Sequence, residues 1–454
     1  MRLTWAQPED LVAHELVQSA AEGRDVAHLA QGWVDAGGDP SPPVSGAGPR
    51  PAAPGVRALA RVLLDELDAL PTPAHPHEPD DLGSIEALWS SPVPTPGPDH
   101  ESGAFADRVH GAWLGRAAGC LLGKPVEKIP RQGIEEILRS TGRWPLADYF
   151  TAAGLPDDVA ARWPWNRRSA PTSLVENIDG MPEDDDLNFP ILALGILEAH
   201  GRGFTTDDVA DAWLANLPAG RVFTAERAAY RNLLDARPVP STATHHNPFR
   251  EWIGALIRSD VYGWTSPGDP RTAARLAWAD ARLSHTRNGV YGAMWVAGMC
   301  AAAVVVDDVG TAIEAGLAVV PPESRLASAV RRGVEIGRSG AAVPDALDVL
   351  HAELGDLHWV HVLNNAATIA YALTAGNGDL GASIALAVTA GWDTDSAGAT
   401  VGGVVGAVRG ASQLPAAWTA PLRDQIATSL PGDGRLSIAE LARRTVDLAT
   451  EVRP

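Results

Sequence analysis

Lysine is almost missing from this chain. Of 454 residues only Lys124 and Lys128 are lysines, and arginine carries the rest of the positive charge. Acidic residues outnumber basic ones, 56 to 36, for a formal net charge of −20. That excludes the broad basic surface a nucleic-acid binder needs. Cysteine is equally scarce. Cys120 and Cys300 each sit in an apolar Gly/Ala-rich stretch. They make no disulfide framework and no zinc pattern, and both read as buried core thiols. No signal peptide opens the sequence, because Pro8, Glu9 and Asp10 fall where its apolar core would lie. The longest uncharged run, Gly289 to Val306, approaches the length of a membrane span. Gly, Ala and Val dominate it, and Asp307 and Asp308 follow directly, so it reads as a buried soluble helix. The expectation is a soluble, cytoplasmic protein with no membrane and no nucleic-acid partner. Alternating apolar–polar runs are also lacking, so no strand is expected.

What is present is core-forming. Hydrophobic residues make up 45% of the chain and charged ones 20%, enough for a sizeable core. Residues 1–100 stand apart. Two helical stretches, 8–22 and 56–70, are tied by a Gly/Pro/Ser-rich section at 35–54 and followed by a Pro-rich one at 69–100. This is read as an N-terminal accessory segment without nameable chemistry. From 101 to 454 the pattern is one all-α domain, a compact multi-helix bundle. Helices are expected at 106–122, 132–140, 189–200, 206–215, 223–234, 249–258, 271–283, 290–306, 309–319, 326–339, 358–374, 380–390, 397–407, 421–430 and 437–452. Residues 144–172 are rich in Trp and Pro and read as irregular chain lying over something.

Three features carry chemistry. Gly391-Trp392-Asp393-Thr394-Asp395-Ser396 stands before a run of small apolar residues, and Glu183-Asp184-Asp185-Asp186 stands before an almost wholly apolar helix. Helix N-termini favour anionic side chains, and carboxylates beside hydroxyls offer the hard oxygens that Mg²⁺, Mn²⁺ or Ca²⁺ prefer. Two such ends meeting in a bundle supply enough carboxylates for two cations, which can polarise and position an attacking oxygen. The third feature is Gly111, Gly115, Gly119 and Gly123. Their four-residue spacing leaves a bare helix face for close packing, and it delivers Glu127 to a helix end near the core.

In this order the motifs resemble the ADP-ribosylglycohydrolases (dinitrogenase-reductase-activating glycohydrolase-like), over roughly residues 105–448. Gly111-Ala-Trp-Leu-Gly-Arg-Ala-Ala-Gly-Cys-Leu-Leu-Gly-Lys-Pro-Val-Glu127 resembles the family's opening helix and its Glu. Glu183–Asp186 resembles its Thr-Asp-Asp-Thr motif, and Ile253-Gly254-Ala-Leu-Ile-Arg258 its Asn-Gly-x-x-Met-Arg helix. Asp280-Ala-Arg-Leu-Ser-His285 is similar to its Thr/Ser-His element, and Gly391–Ser396 to its Gly-Gly-Asp-Thr-Asp-Thr motif. The resemblance implies an all-α fold, a binuclear magnesium site with Mn²⁺ possible, and cleavage of a glycosidic bond to ribose. It implies Asp184, Asp185, Asp393, Asp395 and Ser396 as metal ligands, with Glu183 in place of the first Thr. A one-residue shift would bring in Asp186. Glu127 and Asp185 are implied as catalytic, and Gly254, His285, Asn288 and Trp392 as substrate contacts. Ile253 stands where the family has Asn, and Phe249 to Trp252 lack its small hydroxyl and Gly residues. The expected substrate is an ADP-ribosylated protein or small molecule. The alternatives are a different ribosylated small molecule, such as a nucleoside or biosynthetic intermediate, and a non-catalytic ADP-ribose binder.

Overall fold

Two helices that touch through their backbones set the centre of the fold. In the computed structural model, which describes residues 3–99 and 103–450, helix Ala104–Gly123 runs antiparallel to helix Thr394–Arg409. The four-residue glycine stripe faces a matching stripe. A Cβ added at Gly115 would lie 2.0 Å from the Gly402 carbonyl oxygen, and one at Gly402 would lie 2.0 Å from the Gly115 oxygen. Gly111 meets Gly406 and Gly119 meets Gly398 in the same way, and Gly123 lies against Thr394. No side chain fits between, so the register is fixed residue by residue. The Thr394 hydroxyl donates to the Gly123 carbonyl at 2.9 Å and closes the end of the pair.

Other helices follow with short connections and wrap this pair, as the all-α expectation required. The apolar run forms the fully buried helix Arg287–Ala303, and no described helix is long and apolar enough to cross a membrane. Cys120 and Cys300 are free and buried. Helices Ala27–Asp35, Leu82–Ala87 and Val343–Leu354 were not anticipated.

Two expected helices are corrected. Of 249–258 only Ile253–Arg258 coils, as a 3₁₀ turn. The turn's first residue and those before it bond outward instead: the Ile253 amide donates to the Val360 carbonyl, the Val362 amide to the Glu251 carbonyl and the Thr286 amide to the Arg250 carbonyl. The stretch 421–430 is not helical either. Pro421 lies in a 3₁₀ turn, Arg423 and Asp424 take positive φ of 50° and 53°, and Gln425–Ala427 then pairs antiparallel with Arg435–Ser437. This hairpin also corrects the expectation of no strand.

The N-terminal segment is built into the bundle. Trp5, Leu11, Val12, Leu64 and Leu67 belong to the same apolar core as the helices of the main domain. Ion pairs lock the contact. Buried Arg250 reaches Glu15 at 2.8 Å and Glu22 at 2.7 Å, and half-buried Arg325 reaches Glu78 at 2.9 Å. Removing one partner of the buried Arg250 pairs strands the other charge and costs about 3–5 kcal/mol. The expected division at residue 100 falls among residues 100–102, outside the described ones.

The glycine contact gives a paired prediction. Gly115→Ala should destabilise the protein by about 1–3 kcal/mol or more in urea unfolding, because the added methyl overlaps a backbone oxygen. Gly195, inside helix Asp185–His200, has nothing within 4 Å of an added Cβ. Gly195→Ala should instead stabilise by up to about 1 kcal/mol. Equal effects at the two positions would contradict the packing account.

Candidate active site

The two-helix register delivers both ends of the pair to one place. At the C-terminal end of helix Ala104–Gly123 the chain makes a 3₁₀ turn, Lys124–Val126, and presents Glu127. At the N-terminal end of its partner, Gly391 and Trp392 take φ of 80° and 64°. This turn leaves Asp393 as N-cap residue and Asp395 in the first helical turn. The second acidic group starts helix Asp185–His200. The Asp184 side chain caps it, accepting from the Asp186 amide at 2.9 Å. Its backbone is held by Arg116, which is fully buried and donates through Nε and Nη2 to the Asp186 carbonyl at 3.0 and 2.8 Å, and through Nη1 to Asp260 at 2.8 Å.

Glu127, Glu183, Asp184, Asp185, Asp186, Asp393, Asp395 and Ser396 all line one cavity of about 900 Å³. The Ser396 hydroxyl donates to Asp186 Oδ2 at 3.2 Å, joining the two acidic turns directly. The other Asp186 oxygen, Oδ1, is buried with no hydrogen-bond partner, and the Arg116 guanidinium stands 3.7 Å from it. Glu183 faces differently: it accepts from Asn188 at 2.9 Å and pairs with Arg221 at 2.9 Å. Glu127 is oriented from both sides. Asn166 Nδ2 donates to Oε2 at 2.6 Å, and Lys128 Nζ lies 3.1 Å from Oε1. Lys124 Nζ pairs with Asp184. Both lysines of the protein therefore serve this cavity.

Residues 101–454 match the ADP-ribosylglycohydrolase family. The chain belongs to the ADP-ribosylglycohydrolase family. It is accordingly a glycosidase, a hydrolase of glycosidic bonds. A solved structure described as "ADP-ribosylglycohydrolase-related protein complex" is similar at 22% identity, covering 76% of this chain and 99% of that one, with a TM-score of 0.46. No curated protein matches this chain.

The cavity of this family member differs from the one expected from its motifs. Gly254 lines it, and the absence of a side chain there makes room for Glu226, whose Oε1 would lie 2.2 Å from an added Cβ. Glu226 was not foreseen. It is buried, lines the cavity, and bonds Arg258 at 2.5 Å. Its only sequence signal is a carboxylate beside Thr224 and Ala225 in an otherwise ordinary helix. His285 and Asn288, expected to touch substrate, do not line the cavity. His285 is buried behind Arg258, its Nδ1 2.8 Å from the Ser284 hydroxyl, which itself accepts from Arg258 at 2.9 Å. Asn288 donates to Glu251 at 3.1 Å and accepts from the Leu326 amide at 2.9 Å. Trp392 also lies outside the lining. Its ring stacks on His351 at 4.1 Å instead of lining the cavity.

Two walls come from elsewhere. The Trp/Pro-rich section supplies Asn166, Arg167, Arg168, Ser169 and Thr172. The N-terminal segment, outside the family match, supplies Thr4, Trp5 and Ser45. Trp5 takes φ of 60°, an uncommon conformation for a bulky residue. It is held by a 2.6 Å bond from its amide to the Gly46 carbonyl and by edge contacts with Phe249, Trp252 and His358. Thr4 accepts from Arg227 at 2.7 Å. A string of contacts connects this wall to Glu127: Lys128 lies over the Trp359 ring at 5.0 Å, and Trp359 Nε1 donates to the Val44 carbonyl at 2.8 Å.

The electrostatics are those of crowded, enclosed carboxylates. Burial first, then Asp184 and Asp395, raises the pKa of both Asp185 and Asp186 well above the usual carboxylate range. Burial, then Asp395 and Glu127, does the same for Asp393. Burial, then Glu127 and Asp184, pushes Asp395 up to about 7. A raised carboxyl pKa means that the folded state holds the proton more tightly than the unfolded chain. That stability is complete below about pH 4 and is lost as pH rises through about 7. Chelator-treated protein should therefore weaken between pH 5 and pH 8 in urea unfolding, and Asp395→Asn should flatten that fall. Identical slopes for the two proteins would contradict it.

Proposed function

We propose that this protein is a metal-dependent ribosyl hydrolase, most directly one that removes ADP-ribose from a modified protein or small molecule. The observation that carries this reading is the meeting of Glu127 with two acidic helix ends in one cavity. The donor set fits hard cations. It is all oxygen, it gathers more negative charge than Lys124 and Arg116 offset, and it includes the buried Oδ1 of Asp186, which accepts no hydrogen bond. Asp184, Asp185, Asp186, Asp393, Asp395 and Ser396 would hold two Mg²⁺ ions, or Mn²⁺. When bound, the ions supply Lewis acidity toward sugar hydroxyls and water.

The remaining steps fall to this chain's own groups. Glu127, held by Asn166 and Lys128, takes a proton from water. The water oxygen bonds the anomeric carbon as its bond to the leaving nitrogen or oxygen breaks, and the sugar carries positive charge in the transition state. The leaving group receives the proton that Glu127 took from water. Asn166 and the arginines beside it cover the cavity and limit water.

A second reading is favoured by one observation: Thr4, Trp5 and Ser45 close part of the cavity from outside the family match. A fixed wall there suits a small ribosylated molecule better than a protein surface.

Glu127→Gln should lower kcat about 10²–10⁴-fold with little change in KM, and chelation should abolish hydrolysis of the wild type. Full activity in chelator would sink the metal reading. ADP-ribosyl-arginine, ADP-ribosyl-serine and poly(ADP-ribose), each offered with Mg²⁺, separate the substrates. Release of ADP-ribose from any of them supports the first reading. Release from none, with hydrolysis of a ribosylated small molecule, supports the second.

A further inference from the structure

A second cluster of ligand-type side chains lies between the N-terminal segment and the main domain. Asp65 and Asp68 sit three residues apart on helix Pro54–Ala69, so both project from one face. His245 and His246 follow the short helix Ser241–Thr244. His245 Nδ1 lies 2.7 Å from Asp68 Oδ2, and His246 Nε2 lies 2.9 Å from Asp65 Oδ1 and 3.6 Å from Asp68 Oδ2. The ligand atoms of Asp68, His245 and His246 all fall within 4.8 Å of one another. Side chains of consecutive residues do not ordinarily face the same way. Here His246 takes φ of 45°, and the two imidazoles stack at 3.7 Å. Arg231 Nη2 donates to the carbonyls of His245 and His246 at 3.0 and 3.2 Å, and Asn232 Nδ2 donates to His245 at 2.8 Å. The histidine turn is thus built and held in place.

The chemistry of the set is specific. Two imidazole nitrogens with carboxylate oxygens suit zinc. Zinc–ligand bonds of about 2.0–2.2 Å place tetrahedral ligands roughly 3.3 Å apart. The N–O separations here, 2.7 to 3.6 Å, bracket that edge. Among the described residues neither Asp65 nor Asp68 has a lysine or arginine ion-pair partner. A cation at this point would take up carboxylate charge that no lysine or arginine there pairs with.

We propose that Asp65, Asp68, His245 and His246 form a zinc site that staples the N-terminal segment to the main domain, separate from the carboxylate cluster of the cavity. The ring nitrogens that face the carboxylates carry protons in the hydrogen-bonded arrangement. Zinc would take their place, the protons moving to the opposite ring nitrogens or to solvent.

The test titrates chelator-stripped full-length protein with zinc chloride by calorimetry, in the presence of saturating Mg²⁺. The wild type should bind one Zn²⁺ with a rise in unfolding temperature. His246→Ala and Asp68→Asn should weaken that binding at least tenfold and remove the rise, whereas Asp395→Asn should leave both unchanged. Asp65→Asn, at the exposed edge of the set, gives the same readout if the other variants fail to fold. No zinc binding by the wild type, equal binding by the wild type and all three ligand variants, or loss only in Asp395→Asn would overturn the proposal.

Discussion

The contact on which the rest depends is the one between two helix backbones. Gly111, Gly115 and Gly119 meet Gly406, Gly402 and Gly398 with no side chain between them. Close-packed interiors transmit displacement rather than absorb it. Any widening here would separate Glu127, at the end of one helix, from Asp393 and Asp395, at the start of the other. Arg116 extends the same logic. It springs from the glycine-lined helix and holds the Asp186 carbonyl, so the second acidic turn is indexed to the first. One packing decision thus sets three elements of the cavity.

The cavity works against the fold that holds it. Asp185, Asp186, Asp393 and Asp395 crowd together away from water, and each is pushed toward its protonated form. Buried like charges are costly without cations, and a protein keeps such a cluster where function needs it. Lys124 supplies part of the compensation through Asp184. In a chain with two lysines, having both at this cavity, one on Asp184 and one on Glu127, is a use of scarce charge that composition alone did not reveal.

Much of the framework was legible because it is periodic. Helical spacing, the fourfold glycine repeat and the acids at helix starts are local patterns, and local rules produced them. What was missed depends on distant partners. Arg250, Glu251 and Ile253 bond to residues 286, 362 and 360, so a helix-like sequence stays uncoiled before the turn. Glu226 owes its place in the cavity to the missing side chain of Gly254, which no spacing rule connects to it. His285 and Asn288 entered the expected site only through the family resemblance. They proved to satisfy buried networks around Arg258 and Glu251. Trp392 was expected beside the substrate, yet two left-handed residues in succession turn it onto His351. The N-terminal segment offered no motif, because its contribution is a wall, formed by Thr4, Trp5 and Ser45 only when ion pairs at Arg250 and Arg325 seat it.

The account rests on the carboxylate cluster being a cation site. The most direct measurement is anomalous diffraction from crystals equilibrated with Mn²⁺. The account predicts two peaks in the cavity, bounded by Asp184, Asp185 and Asp186 on one side and by Asp393, Asp395 and Ser396 on the other. A cavity without a peak, with these carboxylates still crowded together, would contradict it.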